Sequence, residues 1–143
     1  MISKPLEEVR RILESRLHII SGDELLSIVL EGNLDYMQAD GLDETLILTD
    51  VHDHSTLLNF FGIYGDVRVY FISAPLIMLN MTRFDVREAI NFPVALLLYK
   101  TTLDQVTIEY NLPSSMITDT ENLLLLEAAK MLDHKIAALV DPL

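Results

Sequence analysis

The chain has 143 residues, enough for one domain, with 22 acidic against 10 basic residues and a formal net charge of -12. A field of that sign repels phosphate backbones and anionic lipid, so neither nucleic acid nor membrane is an expected partner; its plainest role is to keep the surface soluble. Cysteine is absent, which excludes a disulfide scaffold, a thiolate metal site and a thiol nucleophile.

Apolar residues make up 50% of the chain, the upper edge of ordinary globular usage, where about 45–50% already counts glycine. That is more apolar surface than a small core readily hides. Met1 to Arg11 carries charges where a secretory leader would carry an apolar run. Val69 to Met81, the longest charge-free apolar stretch, is interrupted by Pro75 and falls short of the roughly 18 to 20 residues a membrane helix requires. No repeat or Pro/Gly-rich linker divides the sequence. A soluble, cytoplasmic protein with one domain over residues 1–143 is expected.

Taken in chain order, Ser3 is placed to cap a first helix with Pro5 in its opening turn. Leu6, Val9, Leu13 and Leu17 recur at helical spacing, and Glu7 stands four residues before Arg11. This helix should end near Arg16, and Leu17 to Ile20 should form a short strand. Ser21 and Glu24 have capping-box spacing, which predicts a second helix from Gly22 to Ala39 closed by Asp40-Gly41. Leu25 to Leu30 also fits a buried strand, and Gly32 costs about 1 kcal/mol inside a helix.

Strands dominate from Thr45 onward. Thr45 to His52 is β-branched and alternating, Val67 to Ser73 and Pro93 to Tyr99 are apolar at nearly every position, and Val106, Ile108 and Tyr110 alternate with Gln105, Thr107 and Glu109. Only the last has a clean wet face. Ser55 to Phe61 reads as a short helix capped by Asp53 or His54, and Leu76 to Ile90 as two short helical turns joined near Thr82. The last two strands should pair as a hairpin through Thr101 to Asp104, a connection without Gly or Asn. Thr120 to Leu139 is a long helix with Glu127, Lys130 and His134 on one stripe and an apolar arc wide enough to cross a sheet. This order describes an α+β two-layer sandwich.

Within that frame five short motifs stand in register: Asp53-His54, Gly62, Ser73-Ala74-Pro75, Phe92-Pro93 and Tyr110-Asn111-Leu112-Pro113. Through them the stretch from Asp53 to Pro113 resembles the domain-of-unknown-function family 302, whose members are small uncharacterised bacterial and archaeal proteins. The resemblance implies a fold similar to the TATA-binding protein, an antiparallel sheet in β-α-β4-α order with helices on one side. Residues 1–16 would add a helix before a family-like core at 17–140. The family's corner carries Gly and Asn where Ser73 and Ala74 stand here, which removes close backbone approach for a ligand at that point. The resemblance implies no reaction, cofactor or substrate.

Asp50, His52 and His54 alternate along one predicted strand, the pattern a His-x-His metal site requires. The competing role is structural: Asp50 and His52 at a sheet rim, and Asp53, His54 and Ser55 capping the next helix. No G-x-S-x-G elbow, Gly-rich phosphate loop, dinucleotide fingerprint or H-E-x-x-H occurs, so no catalytic residue and no cofactor are predicted. Acidic pairs such as Glu7-Glu8, Asp23-Glu24 and Asp43-Glu44 suit helix starts and solvation.

If helices cover one sheet face, the opposite face still presents some of Tyr70, Ile72, Ala95, Leu97 and Tyr99, because strand neighbours point to opposite sides. A contiguous apolar face on a soluble chain marks an interface or a ligand groove unless the first helix folds over it. The expected occupant is a second copy of the chain. Arg68 and His54 at its margins are the groups suited to orient a small anionic or carbonyl-bearing ligand. The expected function is therefore a non-catalytic homodimeric binding or regulatory module with His54, Arg68, Tyr70, Leu97 and Tyr99 as candidate site residues. The alternative is a metal-dependent protein or enzyme centred on Asp50, His52 and His54.

Overall fold

In a computed structural model, residues 2, 4–19, 23, 46–63, 65–100, 105–119 and 121–143 are described. The expected Ser3 cap, the second helix and the hairpin connection at 101–104 lie outside them, Asp23 apart. Helix α1 (Leu6–Ser15) begins behind Pro5, whose side chain makes no capping bond, and buries Leu6, Val9 and Leu13. Its ion pairs depart from the expected Glu7–Arg11 pairing: Arg10 reaches both Glu7 and Glu14 at 3.2 Å. At its end the Arg16 guanidinium donates to the carbonyls of Leu139, Asp141 and Pro142 at 3.0–3.1 Å, a cation set on the C-terminal end of another helix.

Five strands follow in the spatial order β1-β2-β3-β4-β5: β1 (His18–Ile19), β2 (Ile47–Asp53), β3 (Asp66–Ser73), β4 (Val94–Lys100) and β5 (Val106–Tyr110). The last four form an antiparallel meander. β1 instead joins β2 in parallel through His18↔Ile47 and Ile19↔Leu48, a departure from the wholly antiparallel sheet expected.

Cross-strand register assigns the two faces. Tyr70 stands opposite Leu96 and Val51, and Leu96 opposite Tyr110, so these share a face with Ile72, Leu98 and Val106. Onto this face pack Leu6, Val9 and Leu13 of α1, Ile77 and Met81 of α3 (Pro75–Thr82), and Leu125, Ala129, Leu132, Ile136 and Leu139 of α4 (Leu123–Val140). The fold is α+β, with these three helices gathered on one side of the sheet. The first helix therefore joins the main core instead of roofing the opposite face.

Helix α4 starts later than expected because Asn122, just before the leucine run, accepts the Leu125 N–H at 3.1 Å. Glu127, Lys130 and His134 are exposed as predicted; Asp133, outside that stripe, accepts the Ser114 N–H at 3.0 Å. The Ser73-Ala74-Pro75 corner needs no glycine: Ala74 has φ -129 and Pro75 opens α3. Gly62 does need to be one. It takes φ +76 after helix α2 (Ser55–Phe60), and the bonds Gly62 N–H to Asn59 O and Ile63 N–H to Leu58 O close a Schellman motif. An added Cβ would meet nothing within 4 Å, so Gly62→Ala should lose only the left-handed backbone term, about 1 kcal/mol, in urea denaturation.

A 3₁₀ helix at Val86–Asn91 and another at Pro113–Ser115 complete the chain. Asp85 caps the first. Its carboxylate takes the Arg87 N–H, the Arg87 guanidinium and, at 2.7 Å, the Thr118 hydroxyl, and the Arg87 hydrogen bond holds its pKa far below the ordinary carboxylate range. Asp53 is also lowered, chiefly by the Ser55 backbone N–H. A depressed folded pKa contributes stability above the unfolded value near 4 and loses it as pH falls through the folded value. Denaturation midpoints should therefore drop between about pH 4 and pH 2, and Asp85→Asn should flatten that slope.

Candidate functional site

Opposite the core, the sheet presents a face built in three rows across the strands. His52, Val69, Leu97 and Glu109 form the middle row; Asp50, Phe71 and Ala95 lie on one side of it, and Val67, Tyr99 and Thr107 on the other. The two central strands thus supply six apolar or aromatic side chains. All are half-buried except Ala95, which is exposed, and among the described residues none belongs to the core cluster or packs against it. At one end of the face Ile47 and Ser73, which pair across β2 and β3, are buried.

Among the described residues, each of the two strands flanking β3 and β4 places one carboxylate on this face. Asp50, on β2, accepts from His52 Nε2 at 2.9 Å, and both side chains are more than half exposed. The His52 ring lies edge-on to Phe71 with centroids 4.7 Å apart. Glu109, on β5, accepts the Tyr99 hydroxyl at 2.9 Å, and that bond raises the Tyr99 pKa. Among the described residues of the face there is no Lys or Arg. Beyond Ala95 the floor falls into an open hollow of about 550 Å³ bounded by Leu97, Glu109, Tyr110 and Asn111.

Leu97 and Tyr99 stand on this face as expected. Tyr70 and Arg68 do not. Even-numbered positions of β3 point into the core, so Tyr70 is fully buried, and its hydroxyl donates to Glu14 on α1 at 3.1 Å. Burial first, and then the Glu14 charge, raise its pKa well above the ordinary value. Arg68 lies on the same core side, 3.5 Å from Asp53 and 3.9 Å from Asp66, with its buried Nε making no hydrogen bond. These two are parts of an ion network beside α1, where Ser55 Oγ also donates to Asp66 at 2.8 Å. Tyr70 pairs with Leu96 and Ile72 with Val94, so β3 lies one residue out of step with the expected grouping, and Val69 and Phe71, opposite Leu97 and Ala95, hold the places given to Tyr70 and Ile72.

His54 is exposed but lies outside the strand. β2 ends at Asp53, and His54 takes φ -88, ψ -5 as the residue before α2. The alternation that would align Asp50, His52 and His54 stops there, and the two imidazoles stand 6.4 Å apart. The α2 cap comes from Asp53, whose Oδ1 accepts the Ser55 N–H at 2.9 Å. Among the described residues no group of three or more His, Asp or Glu is placed to hold a metal ion, and no helix is long and apolar enough to cross a membrane.

No family model matches the sequence, and no curated protein matches it. Structure carries the likeness further: the crystal structure of an uncharacterized conserved DUF302 protein from Bacillus stearothermophilus superposes with a TM-score of 0.67, covering 98% of this chain and 91% of that one at 13% identity. The chain has the fold of a DUF302 protein. The stretch from Asp53 to Pro113, whose five motifs carry the sequence resemblance, thus lies in a chain whose fold is like that of the solved DUF302 structure. In this DUF302 fold those motifs serve the frame: Gly62 ends α2, Pro75 opens α3, and Phe92-Pro93 leads into β4. The half-buried apolar face lies between them.

Proposed function

We propose that the protein is a non-catalytic, homodimeric binding module whose working surface is the second sheet face. The observation that carries this is the set of Val67, Val69, Phe71, Ala95, Leu97 and Tyr99, which occupy β3 and β4 yet stand outside the core cluster formed by the described residues. Apolar side chains on central strands are ordinarily covered, and a contiguous patch of this kind on a soluble chain marks a docking surface.

The second copy is assigned to a different surface. A like copy laid on the sheet face would bring the Asp50 and Glu109 carboxylates against those of its partner. Helix α2 and its C-terminal turn instead expose Leu57, Phe60, Phe61 and Ile63, with the two rings edge-to-face at 5.3 Å. Phe60 is 82% and Phe61 69% exposed, a density of bare aromatic surface suited to a two-fold contact.

Two measurements test the reading. Nile red, an uncharged dye, should bind the native protein saturably, and Leu97→Gln should abolish most of that fluorescence while circular dichroism stays unchanged. An unresponsive wild-type protein would sink the sheet face as a docking surface. Native mass spectrometry should give a dimer that Phe60→Asp with Phe61→Asp converts to monomer. A wild-type monomer at micromolar concentration would remove the dimer.

A further inference from the structure

We infer that the occupant of the sheet face is a basic amphipathic helix of a partner protein, lying between the Asp50 and Glu109 rims. This rests on the docking-face reading above and adds the chemistry of the partner. The floor is apolar over β3 and β4, and each flanking strand contributes a carboxylate, so the face is complementary to a segment with one apolar side and positive charge on both flanks.

Width selects the shape of that segment. From β2 to β5 there are three strand spacings, about 14 Å, and an α-helix with its side chains is about 10–12 Å across. One helix therefore fills the floor, and a Lys or Arg on each flank reaches a rim with its methylenes on the apolar surface and its charge in water. The run from Val67 to Phe71 is about 13 Å long, matching roughly two and a half helical turns. Asp50 and Glu109 lie diagonally, one row apart, so basic residues on opposite flanks about one turn apart would meet both.

The alternatives fit less well. A second copy repels at both rims, and anionic lipid and nucleic acid meet a chain of net charge -12.

The probe is an uncharged-terminus Leu/Lys amphipathic peptide of about eighteen residues, long enough to hold a helix, compared by calorimetry with its Leu/Glu counterpart of the same pattern. The wild-type protein should bind the Leu/Lys peptide and not the Leu/Glu peptide. Asp50→Asn with Glu109→Gln should weaken it by about tenfold, as two exposed ion pairs allow, and Leu97→Gln should weaken it further. Glu7→Gln with Glu8→Gln, on α1 away from the face, should change nothing. Equal binding of both peptides would overturn the inference, as would Leu/Lys binding that responds to the α1 pair and not to the rims. If Nile red occupies the face and Leu97→Gln displaces it while the Leu/Lys peptide fails to bind, the basic helix is wrong and the docking face stands. Failure of both probes removes both.

Discussion

Leu96→Ala is expected to destabilise the protein by about 3–4 kcal/mol, whereas Leu97→Ala, one residue along, costs less than about 1 kcal/mol. Both are leucines in the middle of β4, adjacent in sequence and with the same strand propensity. Leu96 is fully buried, opposite Tyr70 and Tyr110, inside the cluster that α1, α3 and α4 close. Its truncation leaves a cavity with core on every side. Leu97 stands opposite Val69 and Glu109 on the half-buried face, where solvent takes up the vacated space. Since neighbours on a strand differ only in the face they occupy, the difference between the two variants measures how unequal those faces are. In thermal melts it should appear as a gap of several degrees, at about 2–4 °C per kcal/mol for a chain of this size. Equal losses would mean that the second face is packed as tightly as the first.

Glu88→Ala should cost about 2–3 kcal/mol, a large effect for truncating one side chain of a short 3₁₀ helix. Glu88 is fully buried. One carboxylate oxygen takes the Thr118 backbone N–H at 2.6 Å and the other the Asn91 amide at 3.2 Å. The Asn91 amide also donates to the Met116 carbonyl. The side chain thereby ties the segment before α4 to the connection between α3 and β4. Alanine leaves the Thr118 donor without its partner, and that desolvated group sets most of the loss. Glu88→Gln keeps an acceptor in the same place and should cost only about 1 kcal/mol. Urea denaturation of the two variants distinguishes a hydrogen-bonded pin from mere volume; equal losses would favour volume.

Periodicity made most of the frame legible in the sequence. The 3- and 4-residue spacing of Leu6, Val9 and Leu13, the alternation in Val106–Tyr110 and the apolar runs of β3 and β4 each report a local backbone period that the structure keeps. The faces of β3 and β4 were harder to read because nearly every position there is apolar, so no polar alternation marks the wet side. Tyr70 and Phe71 look equivalent until register with Leu96 and Ala95 separates them. In β2 the register shifts between Leu48 and Asp50, so a strict period of two misplaces one end of that strand. Glu88 carried no local sign of burial, since its partner Thr118 lies thirty residues away and only the tertiary structure brings them together. His54 was misaligned for the opposite reason, a purely local one: the strand stops one residue earlier than the alternation suggests.

Carbene footprinting of the free protein, read residue by residue, tests the open sheet face most directly. Phe71, Leu97 and Tyr99 should be labelled, while Tyr70, Leu96 and Leu98 on the same two strands stay protected. Protection of Phe71 and Leu97 as complete as that of Leu96 would show the face covered within the chain and contradict the account.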